Sequence, residues 1–472
     1  KEDKNRKRYK LVAMDETTTN NTNEHHEDVS GDAYNNEMDN EPVFVDMKDA
    51  VEVNVDEENV PMDDASDDGE EEGQQETTDE TEDMAKCKFT QHSGPVYAVA
   101  SHLDAKNGDI TIVSGGGDDR AFLHKIPASG GEPVTIPLSH THTDSVSCAA
   151  LNHAFVSEDL SKTPKLAAVG GYDGAIVLYD PDTGDKIKEL EGPSDVEWVC
   201  FHPKGGSVLL AGSVADGTIW MYHIPTSKCL QVFVGHESGV TAGSFTPDGR
   251  WALSASSDGT LRIWAPRTGM NKHVFRLGGG AGLTSLAING GTDGQLVVTG
   301  AEDGTAHVCH VGTKKVVATL QHADIGNQQQ DAEEEEEDAA VGVEAVGFSP
   351  FNPNWCATGG VDGLIKVWDL TNNGQCRQIC RVEETTDSQG GGVTRLRWHP
   401  KSPILFSSYS DGAIRIWDAR SGELIRTVLG NTDMINDMVV NFLDDNSTKA
   451  LAVSGGDDKA VRVFEVDHGQ NH

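Results

Sequence analysis

The stretch Ser257–Ala265 reads SDGTLRIWA, and it decides how the chain is read. Asp258-Gly259 is a tight-turn dipeptide of the kind that joins two antiparallel strands. Beyond it Thr260, Leu261, Arg262, Ile263 and Trp264 alternate in character, the pattern of a strand with one buried face. Upstream lie two further strand-like runs, Trp251–Ser256 and Val240–Phe245.

The same unit recurs. It reads GGDDRAFLHK from Gly116, YDGAIVLYD from Tyr172, ADGTIWMYH from Ala215, EDGTAHVCH from Glu302, VDGLIKVWD from Val361, SDGAIRIWD from Ser410 and GDDKAVRVFE from Gly456. With the first stretch this makes eight copies, with turn aspartates at Asp119, Asp173, Asp216, Asp258, Asp303, Asp362, Asp411 and Asp458. Their spacing runs from 42 to 59 residues, the period of a propeller blade. A four-stranded blade has two exposed faces, so it must stack on neighbours. In the fourth copy His236, Ser254, Asp258 and Trp264 can form the buried hydrogen-bonded tetrad of the WD repeat. Other copies keep parts of it: His92, His142 and His322 hold the loop position, and Trp368 and Trp417 the strand position. The chain is therefore all-β, an eight-bladed WD-repeat β-propeller over 84–468. A strand at Lys86–Thr90 is expected to close the ring beside Val461–Val466, leaving no open edge.

Charge divides the chain. Its net charge is −40. Residues 1–13 carry a net +4, residues 14–83 a net −26 and residues 84–472 a net −18. Residues 1–83 lack hydrophobic periodicity and read as a disordered tail, basic over 1–13 and acidic over 14–83. Met14 opens the acidic part, and residues 1–13 read as an upstream remnant outside the fold. Within the tail, Lys4–Lys10 (KNRKRYK) reads as a nuclear import signal or a solvated run, and Pro42–Met47 is an apolar island. Leu151–Pro164 reads as a loop of the second blade. An acidic insertion near 323–342 contains Glu333–Glu337. No signal peptide or long apolar run is visible, so a cytoplasmic and partly nuclear location without membrane insertion is expected. The eight cysteines, among them Cys376 and Cys380, form no paired CxxC, and no metal or cofactor is expected.

The stretch Gly192–Pro203, GPSDVEWVCFHP, continues as LLAGSVADGTIWMYHIP through Pro225. Together with GGGDDRAF from Gly115, the acidic tail and the eight repeats, it resembles the angio-associated migratory cell protein family. That family includes a fungal chaperone of a large-subunit ribosomal protein. The resemblance covers most of residues 84–466. It implies a dedicated escort that captures the basic N-terminal segment of a newly made ribosomal protein for large-subunit assembly. It equally implies a signalling or cell-migration scaffold, the association of the animal members. At the aromatic strand position, the first blade has His124 followed by Lys125.

The residues themselves ask for a basic ligand. Inner-strand starts and the positions before each turn aspartate gather at one rim. There stand Asp144, Asp195, Glu197, Glu302, Asp324, Glu344, Asp433, Asp437 and Asp457, with Tyr97, Tyr172 and Trp198 nearby. Carboxylates at a low-dielectric mouth take Arg in bidentate pairs, and aromatics stack on guanidinium. Glu197 and Glu344 lead the set, because each directly follows the apolar residue, Val196 or Val343, that begins its inner strand. So acidic a monomer repels nucleic acid. Two further classes remain. IRIWDAR, Ile414–Arg420, fits the WDxR box of cullin-ligase substrate receptors, with Arg420 its informative residue. The acidity also suits a histone-type chaperone. No catalytic motif is found, so no enzyme is expected.

Overall fold

Each repeat alternates apolar residues on both faces of its sheet, so each sheet needs a neighbour on either side. The computed structural model shows how the neighbours are found. It describes residues 83–469 apart from 105, 153–164, 206, 291–294, 324–341, 383–390 and 444–447. The tail through residue 82, Asp324, the glutamate run and most of Leu151–Pro164 lie outside the described residues.

Eight four-stranded antiparallel sheets succeed one another. Their inner strands are Val96–Leu103, Val146–Leu151, Trp198–Phe201, Ala242–Phe245, Leu283–Ile288, Val343–Phe348, Val393–Trp398 and Ile435–Phe442, in blades 1 to 8. Each inner strand packs on the next, and the eighth packs on the first, closing a ring around a central channel. Seven blades use four consecutive strands. Blade 8 completes itself with the N-terminal strand Cys87–Phe89, which pairs with Val461–Asp467 in the register Cys87↔Val463 and Phe89↔Val461. The expected closure is therefore formed. Among the described residues there is no α-helix, and no helix is long and apolar enough to cross a membrane.

The core sits between blades. Leu166, Ile176 and Leu178 of blade 2 pack with Leu209, Ala211 and Tyr222 of blade 3. At the seam Phe89, Val461 and Val463 pack with Val96, Ile110 and Ile112 of blade 1. Each such side chain contributes roughly 1.5–3 kcal/mol by leaving water.

Polar pegs fix the turns. In blade 4 the Trp264 Nε1–H donates to Ser254 Oγ at 2.8 Å, and the hydroxyl meets His236 Nε2 at 2.7 Å. His236 Nδ1 lies 2.9 Å from Asp258, whose carboxylate also accepts the Thr260 N–H. Blades 1 and 6 hold more of this arrangement than their sequences suggest. In blade 6, His322, Thr358, Asp362 and Trp368 complete it, with threonine in the serine place. In blade 1, His124 takes the tryptophan place, with Nε2 3.0 Å from Ser114 Oγ and its ring 4.4 Å from that of Phe89. The edge therefore packs without an aromatic carbocycle. The turn of blade 1 differs from the expected one, which was centred on Asp119. The turn aspartate of blade 1 is Asp118, which meets His92 at 2.9 Å and accepts the Ser93 N–H. Asp119 instead has a φ of 62°, the place glycine holds in most blades.

Candidate binding rim

The inner strands carry a repeated irregularity that builds the site. In six blades the register slips just after the first residue, leaving out Tyr97, Ser147, Thr284, Glu344, Thr394 and Asn436. A bulge of this kind turns one side chain out of the sheet. In blades 3 and 4 the equivalents, Glu197 and Thr241, stand immediately before the strand.

Four of these eight residues are latches between blades. Ser147 donates to the Val196 carbonyl, Thr241 to Leu283 at 2.6 Å, Thr284 to Val343, and Asn436 to Val96 at 3.1 Å. Three of these donors tie their blade to the first inner-strand residue of the next, and Ser147 reaches Val196, two residues before the inner strand of blade 3. Thr394 instead meets Ser408 Oγ at 2.8 Å. Glu197 and Glu344 occupy latch positions as acidic groups, and Tyr97 lies over the backbone of Gly117. Blade 3 replaces the missing latch with Trp198, whose Nε1–H donates to the Val240 carbonyl at 3.1 Å.

Glu197 is half-buried near the Tyr172 hydroxyl. Burial and nearby Asp195 hold its carboxyl above the usual range, against the pull of Tyr172 and Arg395. Glu344 is exposed, yet partial burial of its carboxyl and the nearby Glu302 raise it too, with Arg395 opposing. The phenol of Tyr172 is pushed up by burial and by Glu197. Glu197 is thus partly withdrawn from water while Glu344 stands exposed, and a cation would stabilise either carboxylate.

Other expected rim residues divide by what they already hold. Asp144 and Asp433 are exposed, each accepting the next residue's N–H, at 2.7 and 2.8 Å. Glu302 is exposed beside Gly282. Tyr97 and Tyr172 are 37% and 39% exposed, enough to offer a ring face. Asp195 is engaged in its own blade, accepting the Ser213 hydroxyl and the Val214 and Ala215 N–H groups. Asp457 accepts the Asn436 amide at 2.7 Å. Asp437 accepts Val99 N–H, Met438 N–H and Arg395 Nε. Trp198 is a wedge between blades 3 and 4, its ring filling the space a side chain would need at Gly212 and Gly243. It is not a stacking platform.

Two cations at the channel were not foreseen. Arg395 and Arg397 lie on the blade 7 inner strand, two residues apart and so on one face. The signal was present in VTRLRW, Val393–Trp398, as two arginines on an inner strand.

Elsewhere, His140, His142 and Asp173 bring possible metal-ligand atoms within 4.8 Å. Asp173 already accepts from His142 Nδ1 and from the Thr143 and Ala175 N–H groups, so His142 and Asp173 repeat the turn peg of other blades. Arg420 closes on Asp418 through Nε and Nη2, at 3.1 and 2.8 Å.

Comparisons with known proteins agree with this architecture. The WD domain, G-beta repeat model matches residues 227–265 and 338–369, and the anaphase-promoting complex subunit 4 WD40 domain model matches 361–444. Among solved structures, Sqt1 from Saccharomyces cerevisiae superposes with a TM-score of 0.66 at 19% identity, covering 82% of this chain and 100% of that one. Chaetomium thermophilum Sqt1, bound to the N-terminus of the ribosomal protein L10, gives 0.64 at 21% identity, covering 82% and 100%. The human angio-associated migratory cell protein is 32% identical over 386 residues, 81% of this chain and 80% of its own length. Identity at that level over most of both chains, on one eight-bladed ring, places this chain in the angio-associated migratory cell protein family of WD-repeat proteins.

Proposed function

We propose that the ring is a non-enzymatic chaperone. It captures the basic N-terminal segment of a newly made ribosomal protein and escorts it, as a monomer in the cytoplasm, to the large subunit. The observation that carries this reading is the substitution of carboxylates for latches at Glu197 and Glu344. A half-buried acid beside Tyr172 and an exposed acid at the equivalent position of blade 6 suit guanidinium and ammonium groups. The structural neighbour that holds a ribosomal protein N-terminus has the same fold and supports the choice of ligand class. The family's name favours a second reading, a scaffold in signalling or cell migration, on which the same rim would hold a basic segment of a signalling partner.

The double variant Glu197→Lys/Glu344→Lys tests the site. Wild-type protein is expected to retain an Arg/Lys-rich ribosomal N-terminal peptide on beads at low salt. The double variant, folded by circular dichroism, should lose that retention. Wild-type retention by the double variant would remove this site. Core histones serve as competitor, and their stronger binding would favour a histone-type chaperone instead.

A further inference from the structure

The outer wall of blades 4 and 5 departs from the charge of the rest of the chain. From Leu261 to Gln321 there are six Lys and Arg residues against three acidic ones, whereas the whole chain has 37 against 77. Two of those three acids, Glu302 and Asp303, belong to the rim turn of blade 5. Blade 4 ends in the strand Asn271–Arg276 and blade 5 in Lys315–Gln321, each the outer edge of its sheet. The starts of these two strands lie side by side, because Lys314 Nζ donates to the Lys272 carbonyl at 3.2 Å. Both strands bulge there. Lys272 and Val317 are left out of the pairing with Ile263–Trp264 and Val308–Cys309, and both are exposed. Met270, Val316 and Val317 are 57%, 46% and 46% exposed. No acidic side chain among the described residues pairs with Lys272 or Lys315. Elsewhere exposed lysines are matched, Lys86 and Lys449 with Glu465 and Lys186 with Glu189.

We propose that this wall docks an acidic segment of a partner protein that also carries aliphatic side chains. Lys272 and Lys315 take its carboxylates, and Met270, Val316 and Val317 cover its aliphatic groups. A single exposed ion pair contributes little, so the charges act together with the apolar contact. The bulges spoil the edge for strand addition, so side chains carry the contact. The apolar members are aliphatic, whereas single-stranded nucleic acid is held by aromatic stacking, and this favours polypeptide. The chain's own path into the ring lies elsewhere: Asp83 pairs with Arg462 of blade 8, which stands opposite blade 4 in a ring of eight. The wall is on the circumference, apart from the rim, so the two surfaces can be occupied together.

The test is a fluorescence-anisotropy titration of the full chain with a labelled synthetic peptide that alternates Glu with Leu and Val. A second peptide has Ser in place of Leu and Val. Wild type is compared with Lys272→Glu/Lys315→Glu, with Met270→Ser/Val317→Ser and with Lys106→Glu on blade 1, each with its melting temperature. The charge-reversed pair should weaken binding of the first peptide by roughly tenfold or more. The serine pair should weaken it by roughly fivefold, and the Ser-containing peptide should bind wild type correspondingly less well. Lys106→Glu should stay near wild type. Absence of binding to wild type at low salt would overturn the proposal, as would equal binding by all variants. Tighter binding of a single-stranded RNA of equal charge, or of phosphatidylserine vesicles, would give the wall to another class of partner and overturn it too. So would a dimer seen by light scattering that the charge-reversed pair disperses. Carbodiimide cross-links from Lys272 or Lys315 to residues 14–82 in the free protein would replace the partner by the chain's own tail, again overturning it.

Discussion

His124 shows how one residue can carry a blade's behaviour. It stands where other blades have tryptophan, between Ser114 Oγ at 3.0 Å and Thr135 Oγ1 at 3.0 Å. Burial depresses its pKa to about 3. His92 and His236 are lowered for the same reason. The sign follows directly. A histidine free in the unfolded chain takes up a proton below about pH 6.5, whereas the folded ring refuses it until far lower pH. Stability is therefore fully present above pH 6.5 and is lost as pH falls toward 3. His124→Gln keeps hydrogen-bonding capacity without a titrating ring. It should flatten the fall of stability across that window by up to one proton's worth, about 1.4 kcal/mol per pH unit. Urea unfolding at stepped pH measures this, and an unaltered slope in the variant would contradict it. Single residues also mark where the sequence was hard to read. Gly117, Asp118 and Asp119 offer two registers for one turn, and the contacts of Asp118 to His92 and Ser93, distant in the chain, separate them. Asp195, Asp437 and Trp198 have the chemistry of a binding site, but each is occupied by a backbone or hydroxyl partner that lies 18 or more residues away in the chain.

At the scale of elements, the closing strand is the smallest piece with the largest structural role. Cys87–Phe89 is three residues long, yet it gives blade 8 its fourth strand and seats Phe89 in the seam between the last and first blades. Around it Lys86 pairs with Glu465 at 2.6 Å, and Asp83 with Arg462 at 3.2 Å. Deleting residues 84–91 exposes the edge of Val461–Asp467 and empties the Phe89 site. Loss of a buried phenylalanine alone costs about 3–5 kcal/mol. The melting temperature of the deleted chain should fall sharply, with aggregation through the bared edge. Differential scanning calorimetry checks it, and an unchanged transition would mean the ring does not depend on this closure. The blades, their number and this closure were legible because turn dipeptides and alternation are local, and they repeat. The latch series was not legible. It links positions separated by 42 residues in Thr241–Leu283 but by 340 in Val96–Asn436, and nothing in either segment alone marks the pair. Glu197 and Glu344 could be picked out only because they follow the first apolar residue of an inner strand. Why that position matters became clear from the latches that surround them.

At the scale of the whole molecule, steering and holding separate. Residues 84–472 carry a net −18, and that field acts on a basic ligand before any contact forms. Replacing Glu197 and Glu344 together by glutamine changes the net charge of this region only to −16, so the long-range field is nearly intact. The short-range partners of the bound cations are gone. The association rate of a labelled basic peptide should therefore stay within about threefold of wild type, and the dissociation rate should rise by roughly tenfold or more. Raising the salt from 50 to 300 mM should act the other way, slowing association in both proteins by a similar factor as the Debye length shrinks toward about 6 Å. Stopped-flow fluorescence resolves both rates. If the double glutamine variant instead lost association and kept its dissociation rate, the two carboxylates would be part of the steering field and not the place where the ligand is held.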